Sequence, residues 1–171
     1  YPDSSLMYAL DANILAEKLK YKIGSAIAYR TIASVYRNQG EYENSTENYL
    51  KSLEIYEELS NDKHPYYALL GKAGIGRTYN GIGLVEWRIG NYTSALDYFF
   101  KSIEIFNELN DSLGIANCYN NIGLIHWNQD NLDRAVEYFK KAQEIYAGID
   151  HKNGMGNSFN NIGIIYKNQK N

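Results

Sequence analysis

Three stretches of this chain are near-copies set 40 residues apart: Asn80-Gly81-Ile82-Gly83-Leu84, Asn120-Asn121-Ile122-Gly123-Leu124 and Asn160-Asn161-Ile162-Gly163-Ile164. Aligned without a gap, residues 74–113 and 114–153 agree at 15 of 40 positions. An earlier copy lies 50 residues upstream, where Ile32, Gly40 and Tyr42 match Ile82, Gly90 and Tyr92, with ten added residues around 61–71. Residues 1–20 match the second half of a unit, Leu6, Tyr8, Leu15 and Leu19 aligning with Leu96, Tyr98, Ile105 and Leu109. A period of this length constrains the fold more than any other feature. One copy cannot bury its own apolar face, so neighbouring copies must stack.

The expected organisation is a single array over residues 1–171. It holds a half repeat at 1–20, a repeat at 21–60, an insertion at 61–71, repeats at 72–110 and 111–150, and the first helix of a truncated repeat at 151–171. The pattern runs off both ends, so the chain reads as a piece of a longer protein. Within a unit, Ile115, Tyr119, Ile122 and His126 fall on one helical face, and Ala135, Tyr138, Phe139, Ala142 and Ile145 give a second helix. Gly40-Glu41-Tyr42, Gly90-Asn91-Tyr92 and Asp130-Asn131-Leu132 break the pattern as turns. Thr93 and Asp133 stand near helix starts, where capping groups and negative charge are favoured. Only 2 prolines interrupt the chain, which permits eight helices.

This arrangement resembles the tetratricopeptide repeat family. The likeness is carried by Tyr119, Ile122, Gly123, His126, Asp130, Ala135, Phe139 and Ala142 in one unit. Tyr79, Ile82, Gly83, Glu86, Gly90, Ala95, Phe99 and Ser102 stand in the unit before it. Tyr29, Ile32, Ala33, Tyr36, Gly40, Ser45, Tyr49 and Ser52 stand in the first full unit. The period exceeds the family's usual one of about 34 residues. It is similar to the long-helix subclass of polarity adaptors and of bacterial sensor-kinase and regulator modules. Asp130 replaces a turn glycine, Glu86 and His126 enter a usually aromatic column, and no proline closes the units. The resemblance implies an all-α, right-handed superhelical solenoid of antiparallel helix pairs whose first helices line a concave groove.

Charge and composition exclude several functions. With 17 Lys plus Arg against 20 Asp plus Glu, the net charge of −3 offers no basic field for nucleic acid. The single cysteine, Cys118, excludes an internal disulfide framework and a multi-cysteine zinc site. Apolar runs are too short to span a bilayer, and no signal peptide is read. Residues 71–78 nearly spell a phosphate-binding loop, but Arg77 stands where lysine is required and Gly74 aligns with Gly24, Gly114 and Gly154, which open repeat helices. His64, His126 and His151 share no ligand spacing. Cys118 reads as a small buried hydrophobe, with no base near it. Glu54, Glu57 and Glu58, like Glu104 and Glu108, read as solvated helix faces. No catalytic residue, metal or cofactor is expected.

The candidate binding face lies on the first helix of each unit, opposite its packing glycine. It carries Arg30, Ser34 and Arg37, then Arg77, Asn80, Leu84, Trp87 and Arg88. Farther along come Asn117, Asn120, Asn121, Leu124, Trp127 and Asn128, and finally Asn157, Asn160, Asn161 and Lys167. Gly81 and Ile27 fall on the same face. Asparagine both donates and accepts, so a row of them suits a peptide backbone. Trp87 and Trp127 suit an apolar side chain. The competing reading has the asparagines satisfying neighbouring repeats and the tryptophans packing between helices. Basic residues on one face of a net-acidic chain favour an acidic or carboxylate-bearing protein or peptide.

The expected function is a non-catalytic, peptide-binding scaffold. The alternatives are a ligand- or peptide-sensing input domain of a bacterial histidine kinase or transcriptional regulator, and a spacer or self-association module. The cytoplasm is the expected compartment, the periplasm the alternative for a kinase sensor. Gly83 and Gly123 are expected to be points of close helix approach. Leu6, Leu10, Ile14 and Leu15 are expected to pack forward onto the next helix pair. Phe159, Ile162 and Tyr166 are expected to lack a covering helix, leaving 154–171 frayed or covered by a second copy.

Overall fold

The computed structural model describes residues 2–169, with side chains from residue 4; residues 1, 170 and 171, at the ends of the expected half units, lie outside it. The described residues form helices α1 (Pro2–Lys18), α2 (Lys22–Gln39), α3 (Tyr42–Ser60), α4 (Pro65–Arg88), α5 (Tyr92–Glu108), α6 (Ser112–Asn128), α7 (Leu132–Gly148) and α8 (Lys152–Gln169). The fold class is all-α, as expected. Two compact units result, one of α1–α4 and one of α5–α8.

The turns follow from local chemistry. Lys20, Gly40, Gly90, Asn110, Asp130 and Asp150 all take a left-handed backbone, with φ between 51° and 86°. Asp130 thus adopts at φ 59° the conformation that glycine supplies at Gly40 and Gly90, as Asp and Asn can at modest cost. At each turn the next N–H reaches five residues back, as in Glu41 to Tyr36 (2.9 Å) and Asn131 to His126 (2.9 Å). This closes the helix end by the Schellman pattern. The starts of α4, α6 and α8 are capped by side chains. Asp111 accepts from the Gly114 N–H at 2.9 Å, His151 Nδ1 from the Gly154 N–H at 3.0 Å, and His64 Nδ1 from the Tyr66 N–H at 3.3 Å.

Of the residues expected as an insertion, 65–71 are the first turns of α4, with Pro65 in its first turn. Proline there loses no hydrogen bond and is already set to the helical φ. The added residues are absorbed as helix, so α4 reaches 24 residues where α5, α6 and α7 have 17.

In the first unit, α2 and α3 run antiparallel. The Ser45 hydroxyl donates to the Ala33 carbonyl (2.7 Å) and Ser52 to that of Ala26 (2.8 Å), so buried serines cost no orphaned oxygen. Ile23, Ala26, Tyr56 and Leu59 form a core against which Ile55, Leu70 and Ile75 pack. Glycines set the spacing of α3 and α4. A β-carbon on Gly74 would overlap the Tyr56 ring, and one on Gly81 would lie 2.5 Å from the Tyr49 ring. Helix α1 departs from expectation. Ala9, Asn13 and Ala16 are its buried stripe, while Leu10, Ile14 and Leu15 are 42, 64 and 56% exposed, and Leu6 is half-buried. Small Ala9 and Ala16 bring α1 against α2, where a β-carbon on Gly24 would lie 3.1 Å from that of Ala16. Leu10, Ile14 and Leu15, each one residue from a buried position, stand about 100° around the helix on either side of that face.

In the second unit, Gly114 receives Phe106, Gly123 receives Phe139 and Gly154 receives Tyr146, each ring 2.5–2.7 Å from where a β-carbon would lie. Gly123 is thus a point of close approach, as expected. Gly83 is buried in α4. Two clusters result: Ala135, Val136, Phe139 and Ile165, and Ala116, Ala142 and Tyr146. Burying a ring such as Phe139 contributes about 1.5–3 kcal/mol. Helix α8 is regular to Gln169 and packs through Gly154, Ser158 and Ile165. Ile162 packs against the Phe139 cluster, whereas Phe159 and Tyr166 are exposed at 56 and 45%.

Candidate functional site

The phosphate-loop-like stretch lies inside α4. Gly71, Gly74, Gly76 and Thr78 are buried there, and the Thr78 hydroxyl donates to the Gly74 carbonyl at 2.9 Å. No strand precedes it among the described residues, and amides inside a helix are committed to its ladder. Two of the three histidines serve as helix caps, His64 and His151. His126 is buried and stacked on Tyr138, with ring centroids 5.2 Å apart at 13°. No group of three or more potential metal-ligating side chains occurs among the described residues. Cys118 is buried; its thiol donates to Ser102 Oγ at 3.3 Å, and burial pushes its pKa up to about 12. It is a thiol rather than a thiolate at neutral pH.

In the first unit, Arg30, Ser34 and Arg37 lie on α2, and Arg77, Asn80, Leu84, Trp87 and Arg88 on α4. Arg37 donates to the Tyr49 hydroxyl (3.3 Å), to Ser34 Oγ (3.2 Å) and to Asn38 Oδ1 (3.4 Å). Arg30 and Arg37 both act electrostatically on Tyr49, whose hydroxyl burial raises and the guanidiniums pull back down. Among the described residues, none of Arg30, Arg37 and Arg88 has a carboxylate partner. Arg30 Nε and Trp87 Nε1 are shielded from water and lack an acceptor. Arg88 stacks over the Trp87 ring at 4.9 Å, which orients both. Gly81, assigned to this face from sequence, instead faces the Tyr49 ring. Tertiary packing decides that, because its missing side chain admits the tyrosine.

In the second unit the asparagines are partly spoken for. Asn161 Nδ2 donates to Asn120 Oδ1 at 3.4 Å, and the Tyr146 hydroxyl donates to Asn117 Oδ1 at 2.7 Å. Leu124 and Trp127 pack against the Phe139 cluster, the indole meeting the Phe139 ring edge-on at 6.4 Å and 89°. Asn128, Asn157, Asn160 and Lys167 are exposed, and Asn121 is half-buried. Here the helix-packing reading of asparagine and tryptophan accounts for several positions. The glycine column Gly24, Gly74, Gly114 and Gly154, read from sequence as helix openings, also sets helix approach. Its recurrence was the available signal.

Antiparallel helix pairs closed by left-handed turns, with small residues on one helix facing aromatics on the next, define an α-helical hairpin-repeat protein of the kind that serves as an interaction scaffold. The chain belongs to the tetratricopeptide repeat family, whose profile matches residues 24–70 and 74–148. No relative is found among curated protein sequences. Among solved structures, it is similar to BtubC (BKLC) from P. vanneervenii, with TM-score 0.76 and 17% identity over 99% of this chain and 67% of that one. It is similar to aspartyl phosphate phosphatase F from Bacillus subtilis, with TM-score 0.82 and 18% identity over 96% of this chain and 41% of that one. It is also similar to the apo form of RapI, with TM-score 0.74 and 22% identity over 98% of this chain and 45% of that one. Identities this low speak for a shared fold, and the chain spans less than half the length of the latter two.

Proposed function

We propose that the chain is a non-catalytic scaffold segment that binds an acidic or carboxylate-bearing protein segment on the face of its first helices, with Arg30, Arg37 and Trp87 setting the chemistry. The observation that carries this is the pair of shielded donors without acceptors, Arg30 Nε and Trp87 Nε1, beside Arg37 and Arg88, which have no carboxylate partner. A buried donor left unpaired costs about 1–3 kcal/mol, which a ligand's carboxylate or carbonyl oxygen recovers. The same face serves a scaffold or the input segment of a signalling protein. Calorimetry with a glutamate-rich peptide tests the proposal. Arg30→Ala with Arg37→Ala weakens binding, and equal affinity for variant and wild type refutes it.

Self-association is a second reading, favoured by one face of α8. Phe159 and Tyr166 are exposed, and a β-carbon on Gly163 would meet nothing within 4 Å. Light scattering over a concentration series distinguishes a dimer, which Phe159→Ser with Tyr166→Ser abolishes, from a monomer, which refutes this reading.

A further inference from the structure

A groove of about 880 Å³ lies within the first unit, between the first turns of α3 and the end of α4. Its rim carries Glu41, Glu43 and Glu47, and its apolar lining includes Tyr42, Leu50 and Ile89. Leu50 and Ile89 are 50 and 46% exposed, so water meets a bare aliphatic floor. Among the described residues, one cation, Lys51, pairs with the rim through Glu47 at 2.7 Å; Glu41 accepts from the Asn44 amide at 2.7 Å, and Glu43 has no partner.

The internal repeat shows that packing does not require these residues. Farther along the array, in the helix pair α7 and α8, the positions equivalent to Leu50 and Ile89 are Lys140 and Gln169, and the position of Glu41 is Asn131. The same helix pair folds there with a polar floor. Apolar side chains exposed where the fold accepts lysine and glutamine, and ringed by carboxylates, have the composition of a docking surface rather than of a core.

We propose that this groove docks a basic amphipathic segment of a partner protein, its apolar side chains on Leu50 and Ile89 and its lysines or arginines on Glu41, Glu43 and Glu47. Rim charges would speed and orient the encounter, and floor burial would supply most of the affinity. The surface is opposite in sign to the arginine-bearing face of α2 and α4, so the two take different ligands and either can fail without the other.

The test uses the whole chain and a helical lysine–leucine peptide with one apolar face, followed by fluorescence anisotropy at physiological salt. Leu50→Gln with Ile89→Gln, the latter copying Gln169, weakens binding about tenfold without altering charge. Glu41→Lys with Glu43→Lys weakens it comparably, while Glu104→Lys with Glu144→Lys, the same charge change on α5 and α7, leaves it within about twofold. Melting temperatures confirm that each variant is folded. Three results overturn the proposal: no saturable binding by the wild type, equal weakening by both charge reversals, or unchanged affinity in the glutamine variant.

Discussion

Phe139 lays its ring against the bare α-carbon of Gly123, so close that a β-carbon there would sit 2.7 Å from two ring carbons. The ring is fully buried and cannot swing away. The helix-propensity gain that alanine normally brings over glycine is therefore unavailable at this position. Gly123→Ala is expected to cost about 1–3 kcal/mol through overpacking. Gly163, one period later, has open space, so Gly163→Ala is expected to gain up to about 1 kcal/mol. Urea unfolding of the two variants reads opposite signs from one sequence column. A Gly123→Ala protein as stable as wild type would show that the helices can part at no cost.

The second unit holds two protons that the unfolded chain gives up more readily. Burial pushes the Cys118 thiol from 9.0 up to about 12, the Ser102 hydrogen bond working the other way. Burial likewise pushes the Tyr146 hydroxyl from 10.0 up to about 12. Both folded values are raised, so this stability is fully present below pH 9.0 and is lost as the pH climbs toward 12. Melting temperatures are expected to fall over that window, with a later onset in Cys118→Ala. A thiol reagent at neutral pH should label Cys118 slowly in the folded chain and completely in urea. Rapid labelling of the folded chain contradicts the burial.

His126 acts at the acid end. Burial first, and then the Arg134 guanidinium, hold its imidazole below 6.5, with Glu137 pulling back. A depressed folded value means that stability is present above pH 6.5 and is lost as the pH falls through the folded value. The urea midpoint is expected to drop as the pH falls below 6.5, inside the window where histidine titrates. His126→Phe keeps a ring against Tyr138 and should shrink that drop. An equal drop in wild type and variant assigns it to other groups.

Binding by the arginine-bearing face should depend on salt. Partly exposed cation–anion contacts are worth about 0.2–1 kcal/mol each and are screened by added ions. Affinity for a glutamate-rich peptide is expected to fall with ionic strength, and less steeply in Arg30→Ala with Arg37→Ala. Parallel salt dependences in variant and wild type would place the peptide elsewhere on the chain.

Helix identity, turn positions and the family were all legible in the sequence, because each rests on chemistry within a few residues. The 3.6-residue period of Ile115, Tyr119, Ile122 and His126 specifies a helix wherever it stands, and Gly40, Gly90 and Asp130 carry left-handed propensity with them. The 40-residue repeat then implies stacking, since no single hairpin buries its own aromatics. Tertiary structure alone decided which face of α1 turns inward. Ala9, Asn13 and Ala16 win over the leucines because close approach to α2 rewards small size, a property of the pair of helices. It also decided that Trp127 and Leu124 rest on Phe139, that Gly81 faces Tyr49, and that Leu50 and Ile89, thirty-nine residues apart, share one acid-rimmed groove. Those outcomes depend on side chains brought together from different helices, and a pattern read along one helix carries no information about its neighbour's surface.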